Sequence, residues 1–190
     1  MGFIDLNGTL VVPCIYDSVE YYQEGLAIVT TEEKYGFIDK TGKLVVPCIY
    51  KTIFGFEDGL EKFVKVDKVG FIDKNGTEVV PCIYDDAVLY PQEGLIRVEK
   101  DGKFGMADCD GNILIEPEYD FLRTPYIYVD DLLTMPVIAE KEGKFGLLLP
   151  DGKGTEVAPF IYSDISLRDE PPFFEARKGR CKILLNADGT

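Results

Sequence analysis

The feature that most constrains this chain is an internal repeat with a period of 34 residues. Residues 2–16 read GFIDLNGTLVVPCIY, residues 36–50 GFIDKTGKLVVPCIY, and residues 70–84 GFIDKNGTEVVPCIY. A fourth copy, GMADCDGNILIEPEY, fills 105–119. A fifth, GLLLPDGKGTEVAPFIY at 146–162, carries a two-residue insertion, and KILLNADG at 182–189 begins a sixth. Each copy follows a second recurring segment: EGLAIVTTEEKY at 24–35, DGLEKFVKVDKV at 58–69, EGLIRVEKDGKF at 93–104, and degenerate forms at 134–145 and 170–181. A unit this short cannot bury an apolar face alone, so the repeat implies units that stack and share a core. The reading is one repeat domain over 1–190, with units at 1–24, 25–58, 59–93, 94–134 and 135–170 and a partial unit at 171–190.

The local chemistry predicts strands. Leu26–Thr30 is a β-prone run, and Glu32-Glu33-Lys34 makes a turn matched by Asp101-Gly102 and Glu142-Gly143. Phe37 and Ile38 lead into Asp39-Lys40-Thr41-Gly42, a tight hairpin in which Asp bonds its own backbone and Gly supplies a positive φ. Asn7-Gly8 and Asn75-Gly76 are the same turn. Leu44–Tyr50 follows as a third strand, and Pro47 places it at an edge or a bulge because Pro donates nothing to a ladder. Leu44, Val46, Cys48 and Tyr50 fall on one face, and Val45, Pro47 and Ile49 on the other. Both faces are apolar, which predicts cover on both sides. No window carries a 3.6-residue apolar stripe, so helix content should be low. The expected fold is all-β: three-stranded antiparallel meanders stacked as an open, twisted or curved array, with a closed propeller-like ring as the alternative. Residues 1–6 and 172–186 each supply a middle strand, which a ring would not need twice. The open reading leaves the Met1–Val12 edge exposed, able to self-associate with another molecule. It makes the basic end, Arg177, Lys178, Arg180 and Lys182, a polar cap.

The pattern aromatic-G-F-I-D-x-x-G-x-x-V-x-P-x-x-Y, followed by an acidic-G-L segment, resembles the bacterial WG-repeat (KWG-repeat) proteins. The resemblance runs over nearly the whole chain. The Trp that names those repeats is absent, and Met1, Tyr35, Val69, Phe104 and Phe145 stand in its place. Three of these are aromatic, so the packing role outlives the letter. The resemblance implies a β-rich bacterial repeat module with a bias toward binding, and it offers no catalytic residue to carry over.

Composition narrows function further. The chain has no His, and its only serines are Ser18, Ser163 and Ser166. Ser-His-Asp and Cys-His constellations are therefore excluded within it. Twenty Lys+Arg against 34 Asp+Glu give a net charge of −14. That acidity argues against nucleic-acid phosphates and anionic membrane surfaces as partners. No apolar run reaches the roughly 18 residues that span a bilayer, so membrane insertion is not expected. Residues 1–30 show no leader pattern, which slightly favours the cytoplasm, and the abrupt start inside a repeat fits a piece of a longer protein.

Three constellations carry chemistry. Cys14, Cys48 and Cys82 recur at the repeat period. By this alignment Glu118 takes their position in the fourth unit and Phe160 in the fifth, which marks a packing site rather than a metal or disulfide site. Asp5, Asp39, Asp73 and Asp108 open turns that mimic the start of a calcium loop but lack the later oxygen ligands. Neither cofactor nor metal is expected. The link from each third strand to the next unit gathers aromatic and acidic residues: Tyr21, Tyr22 and Glu24; Phe54, Phe56 and Asp58; Tyr90 and Glu93; Tyr126 and Tyr128. Corresponding loops of a repeat array share one face, and aromatics beside carboxylates suit a protein or glycan partner. The expectation is a non-catalytic interaction module acting through that face. A structural spacer or assembly repeat is the alternative. A carboxylate-dependent hydrolase using Asp130 and Asp131 is a third reading.

Overall fold

In the computed structural model, which describes residues 1–4, 6–124, 135–168 and 174–190, the described chain holds strands and turns and no helix. A short ribbon, β1 (Phe3–Ile4) with β2 (Leu10–Val12), comes first. A four-stranded sheet follows: β3 (Ser18–Gln23), β4 (Leu26–Thr31), β5 (Lys34–Asp39) and β6 (Leu44–Tyr50). The second sheet is β7 (Thr52–Ile53), β8 (Leu60–Lys65), β9 (Lys68–Asp73) and β10 (Glu78–Tyr84). The third is β11 (Asp86–Tyr90), β12 (Leu95–Lys100), β13 (Lys103–Asp108) and β14 (Ile113–Tyr119). The fourth is β15 (Phe121–Arg123), β16 (Val137–Lys141), β17 (Lys144–Leu149) and β18 (Thr155–Tyr162). A three-stranded sheet, β19 (Asp164–Leu167), β20 (Phe174–Lys178) and β21 (Cys181–Leu185), ends the series. Strands adjacent in sequence are adjacent in each sheet, all pairs are antiparallel, and no sheet closes into a barrel. The chain divides into two compact units, Met1–Tyr84 and Asp85–Thr190.

The full units thus have four strands where the sequence predicts three. The extra strand is the link itself: Ser18–Gln23 pairs with β4, and Asp86–Tyr90 pairs with β12 over five consecutive positions. Its acidic, aromatic composition reads as loop, but one neighbouring ladder suffices to hold it. The hairpin that follows turns tightly. Glu32 and Glu33 take φ of 51° and 60°, and Val66 and Asp67 take 51° and 64°. Positive φ at both central residues is the type I′ geometry that matches strand twist.

Each hydrophobic core lies between the faces of successive sheets. In the first compact unit, Val12 and Tyr16 pack with Val19, Ala27, Val29 and Ile38. Next, Phe37, Val46 and Tyr50 of the first sheet meet Phe56, Phe63 and Ile72 of the second. The Tyr50 and Phe63 rings stand edge to face at 4.5 Å. In the second compact unit, Leu114, Ile115 and Tyr119 of the third sheet pack on Leu122, Val137 and Leu148 of the fourth. Stacking is therefore the source of the core, as the repeat demands.

The Asp-x-x-Gly turn is a stacking device as well as a hairpin. Asp39 Oδ1 accepts the amides of Thr41 (2.8 Å) and Lys43 (3.1 Å). The Thr41 hydroxyl, ahead of those amides, holds the Asp39 carboxyl below its usual range. At Asp151 the same arrangement, led by the Thr155 hydroxyl, brings the carboxyl down to about 2. These bonds use the oxygens that a calcium loop would offer, so turn chemistry accounts for the described copies; Asp5 lies outside the described residues. Gly42 has φ of 83°, and a Cβ there would collide with the Val11 carbonyl of the preceding ribbon. The Gly76 turn rests likewise on Val45 and Val46 of β6, and Gly189 on Val157 of β18.

The third strands differ from expectation in cover. Val46 and Tyr50 are buried, but Leu44 and Ile49 of β6, the last strand of its sheet, are each 44% exposed. The edge and bulge expected from Pro47 are both present: β6 ends the sheet, and its register against β5 shifts on either side of Phe37. The position that names the repeat pairs across β5 and β6, Tyr35 opposite Tyr50, and likewise Val69 opposite Tyr84 and Phe104 opposite Tyr119. That register also corrects the cysteine alignment. A Cβ on Gly36 would meet Cys48 N, and one on Gly105 would meet Pro117 N. Pro117 therefore holds the cysteine position of the fourth copy, and Glu118 corresponds to Ile49. Identical spacing on both sides of the turn carries this register, whereas the prolines themselves are offset by one.

Candidate functional site

The predicted aromatic–acidic face resolves into residues with different fates. Tyr21 is 95% exposed. Tyr22 is partly exposed; its hydroxyl donates to Asp39 O at 3.1 Å and its ring meets Phe3 at 6.1 Å. Phe56 is buried against Phe37 with ring centroids 4.9 Å apart. Phe54 is exposed, but Lys62 Nζ already lies over its ring at 5.5 Å. Glu24 and Asp58 occupy tight turns at φ of 50° and 52°, and the Glu24 carboxylate pairs with Lys74 at 2.9 Å. Tyr90 and Glu93 belong to the other compact unit, where Tyr90 ends β11 half-buried opposite Leu95. Tyr126, Tyr128, Asp130 and Asp131 lie outside the described residues.

Tyr21, Tyr22 and Phe56 come together around a cavity of about 220 Å³ between the first and second sheets. Its inner wall is apolar: Leu26, Ile28, Phe37 and Phe56. Glu20 and Gln23 stand with the two tyrosines on the outer strand. Two local irregularities build it. The first is in β3, where Val19 pairs with Val29 but Tyr22 pairs with Ala27, so three steps on one strand face two on the other. That extra residue is a β-bulge, which re-aims side chains, and it lets consecutive Tyr21 and Tyr22 both line the cavity.

The second irregularity is Glu61, which the sequence reading missed. Counting back from the hairpin tips, Glu61 corresponds to Ala27, Ile96, Val137 and Phe174, all buried and apolar. Glu61 is itself fully buried. Its Oε1 accepts the amides of Phe54 (2.5 Å) and Gly55 (3.1 Å), while Oε2 has no partner. Burial pushes its carboxyl pKa up, against the pull of those two amides. Here β7 stops after two residues, and the carboxylate supplies the acceptor that a continued ladder would have given. The chain is diverted so that Phe56 reaches Phe37, and Gln23 Nε2 donates to Phe56 O at 3.2 Å. The signal was present in the sequence: one charged residue in a column that is otherwise apolar.

Further along the same face of the first sheet, where Thr30 and Tyr35 follow Ile28 and Phe37 in the alternation, lies a larger groove of about 690 Å³. Glu20, Glu32, Glu33, Lys34 and Lys51 line it. Glu20 borders both spaces. Asp17 also lines the groove, but its Oδ2 is engaged by the Glu32 amide at 2.8 Å.

The cysteines are all free thiols. Cys48 packs on the core of Val19, Val29 and Ile38, and Cys82 donates to Lys68 O at 3.0 Å. Burial pushes both thiols up, which suits packing and opposes thiolate chemistry.

The model of the WG containing repeat matches residues 1–35, 35–67, 70–104 and 104–126. The chain belongs to the WG-repeat family. The fourth and last sheets carry the repeat beyond the matched segments, since they keep the same strand order and antiparallel pairing. No curated protein matches the sequence. Among solved structures, a eukaryotic initiation factor is similar at 9% identity and a TM-score of 0.40, over 92% of this chain and 52% of its own. Hsv2 of Kluyveromyces lactis is similar at 14% identity and 0.37, over 90% and 59%. YCF48 bound to D1 peptide is similar at 14% and 0.33, over 85% and 60%. The WG-repeat chain thus spans about half to three fifths of these structures, and nothing is carried over from them.

Proposed function

We propose that this WG-repeat chain is a non-catalytic interaction module that binds a protein partner through the aromatic–acidic face of its first sheets. The observation that carries this reading is the cavity behind Tyr21 and Tyr22, apolar within and bordered by Glu20. Its volume lies below the roughly 300–1,000 Å³ of sites for drug-sized ligands. One side chain of a partner fits that scale. Glycan recognition calls for several converging polar groups, and the inner wall of Leu26, Ile28, Phe37 and Phe56 has none. The absence of His and the scarcity of Ser favour binding over catalysis.

The test is a comparison of partner capture by the native chain and a Tyr21→Ala variant. Tyr21 is almost fully exposed, so the substitution leaves folding intact. Capture that falls with Tyr21→Ala supports the reading, and undiminished capture rejects it. A second reading, self-assembly through sheet edges, draws on Ile49 and Ile83. They are 44% and 45% exposed on the last strands of their sheets, and such edges pair readily. Light scattering over a range of concentrations decides it: a constant monomer mass rejects assembly.

A further inference from the structure

We infer that the occupant of the Tyr21–Tyr22 cavity is a linear segment of a partner protein in which an apolar side chain stands next to Lys or Arg. This rests on the protein-binding reading above and names the chemistry of the partner.

Four observations converge on that occupant. The inner wall of the cavity is hydrocarbon and aromatic ring, so the group that enters it is apolar. Glu20 borders both this cavity and the adjoining groove, and no described cation pairs with it, whereas nearby Glu24 is held by Lys74 at 2.9 Å. The groove carries Asp17, Glu20, Glu32 and Glu33 against Lys34 and Lys51, and Lys51 is already paired with Asp67 at 2.5 Å. The residue beside the apolar anchor therefore meets a net acidic surface, on a chain of net charge −14. This fold also seats cations on rings: Lys62 over Phe54 at 5.5 Å, Arg97 over Phe104 at 5.2 Å and Lys141 over Tyr119 at 5.3 Å. Tyr21, next to Glu20 and 95% exposed, offers one more such ring for a basic side chain of the partner. The binding mode follows from the same strand. The β3 bulge interrupts the ladder between Val19 and Tyr22, which spoils strand addition along this edge. The segment is held by its side chains.

The experiment selects a phage-displayed library of random linear peptides on the immobilised full chain. Enriched sequences are expected to place Lys or Arg beside Leu, Ile, Met or Phe. Their binding should fall about tenfold or more on Glu20→Lys, since like charges are then opposed. Glu20→Gln should cost roughly two- to fivefold, the worth of an exposed pair. Glu20 is exposed, and an unchanged melting temperature confirms that both variants are folded. Enrichment of acidic or uncharged sequences, or no enrichment over a blank surface, overturns the inference. Clones that lose binding with Tyr21→Ala but ignore Glu20→Lys overturn the charge preference and leave the protein-binding reading standing. Clones indifferent to both substitutions overturn both.

Discussion

The first and second sheets share the GFID and VVPCIY halves of the repeat, yet their outer strands behave differently. In the first, β3 runs six residues and bulges. In the second, β7 pairs over Thr52 and Ile53 alone, and the chain leaves the ladder at Phe54. Among their differences one bears directly on this divergence: Ala27 in the first sheet is matched by Glu61 in the second. A buried carboxylate can satisfy two amides at once, so it holds a backbone path that a ladder would not. Repeats therefore fix the sheets, while departures from the repeat build the cavity between them.

The largest expected effect tests the shared part of this comparison, the turn on which stacking depends. Gly42→Ala places a methyl group inside the Val11 backbone at φ of 83°, whereas Gly76→Ala, at φ of 82°, meets Val46 Cγ2 at 2.9 Å. A side chain yields more readily than backbone. Gly42→Ala should cost more than about 3 kcal/mol and Gly76→Ala about 1–3 kcal/mol. Gly59→Ala, with φ of 82° and no atom within 4 Å, should cost about 1 kcal/mol. Urea denaturation of the three variants checks the order. A Gly59 variant as unstable as the Gly42 variant would mean that strain at φ, not stacking, dominates.

The next effect tests the part that differs. Glu61→Ala orphans the amides of Phe54 and Gly55 and should cost about 2 kcal/mol. It should also speed hydrogen exchange at those two amides while leaving the β9 ladder protected. Glu61→Gln keeps an acceptor and removes the titration. Burial raises the folded pKa of Glu61 above its ordinary 4.5. The folded state then holds the proton longer than the unfolded state does. Its contribution is full below the ordinary value and is lost as pH rises through the raised one. The urea midpoint of the native chain should therefore fall relative to Glu61→Gln as pH rises from about 4.5, the ordinary Glu value. Parallel profiles would show that the carboxyl titrates normally. The subtraction matters because Asp39 and Asp151, whose carboxyls are held low, destabilise in the opposite direction as pH falls.

Much of the architecture was legible because it repeats. The turn at Asp39–Gly42, the hairpin at Glu32–Glu33 and the edge strand at Pro47 each follow from local chemistry repeated across units. The outer strand was not legible, because Ser18–Gln23, Thr52–Ile53 and Asp86–Tyr90 share no motif and need only one neighbouring ladder. Of the face proposed from sequence, Tyr21 and Tyr22 stand at the cavity, but Phe56 is core and Phe54 is already covered by Lys62. Aromatic composition cannot distinguish a ring that packs from one that waits. The distinction came from the bulge in β3 and from Glu61, neither of which is periodic.

The smallest effect sharpens the comparison at the hairpin tips. Both sheets turn through two residues of positive φ, Glu32-Glu33 in the first and Val66-Asp67 in the second. Left-handed backbone costs an ordinary side chain roughly 1–2 kcal/mol, and a β-branched one is a true outlier there. Val66 adopts φ of 51° with 84% of its surface exposed, so almost no burial offsets that strain. Asn tolerates the conformation through its short polar side chain. Val66→Asn should raise stability by about 0.5–1 kcal/mol. Glu32→Asn at the matching position should gain less, since Glu is unbranched. Equal gains at the two tips would show that branching contributes nothing, and the preference of each tip would then lie in its turn type alone.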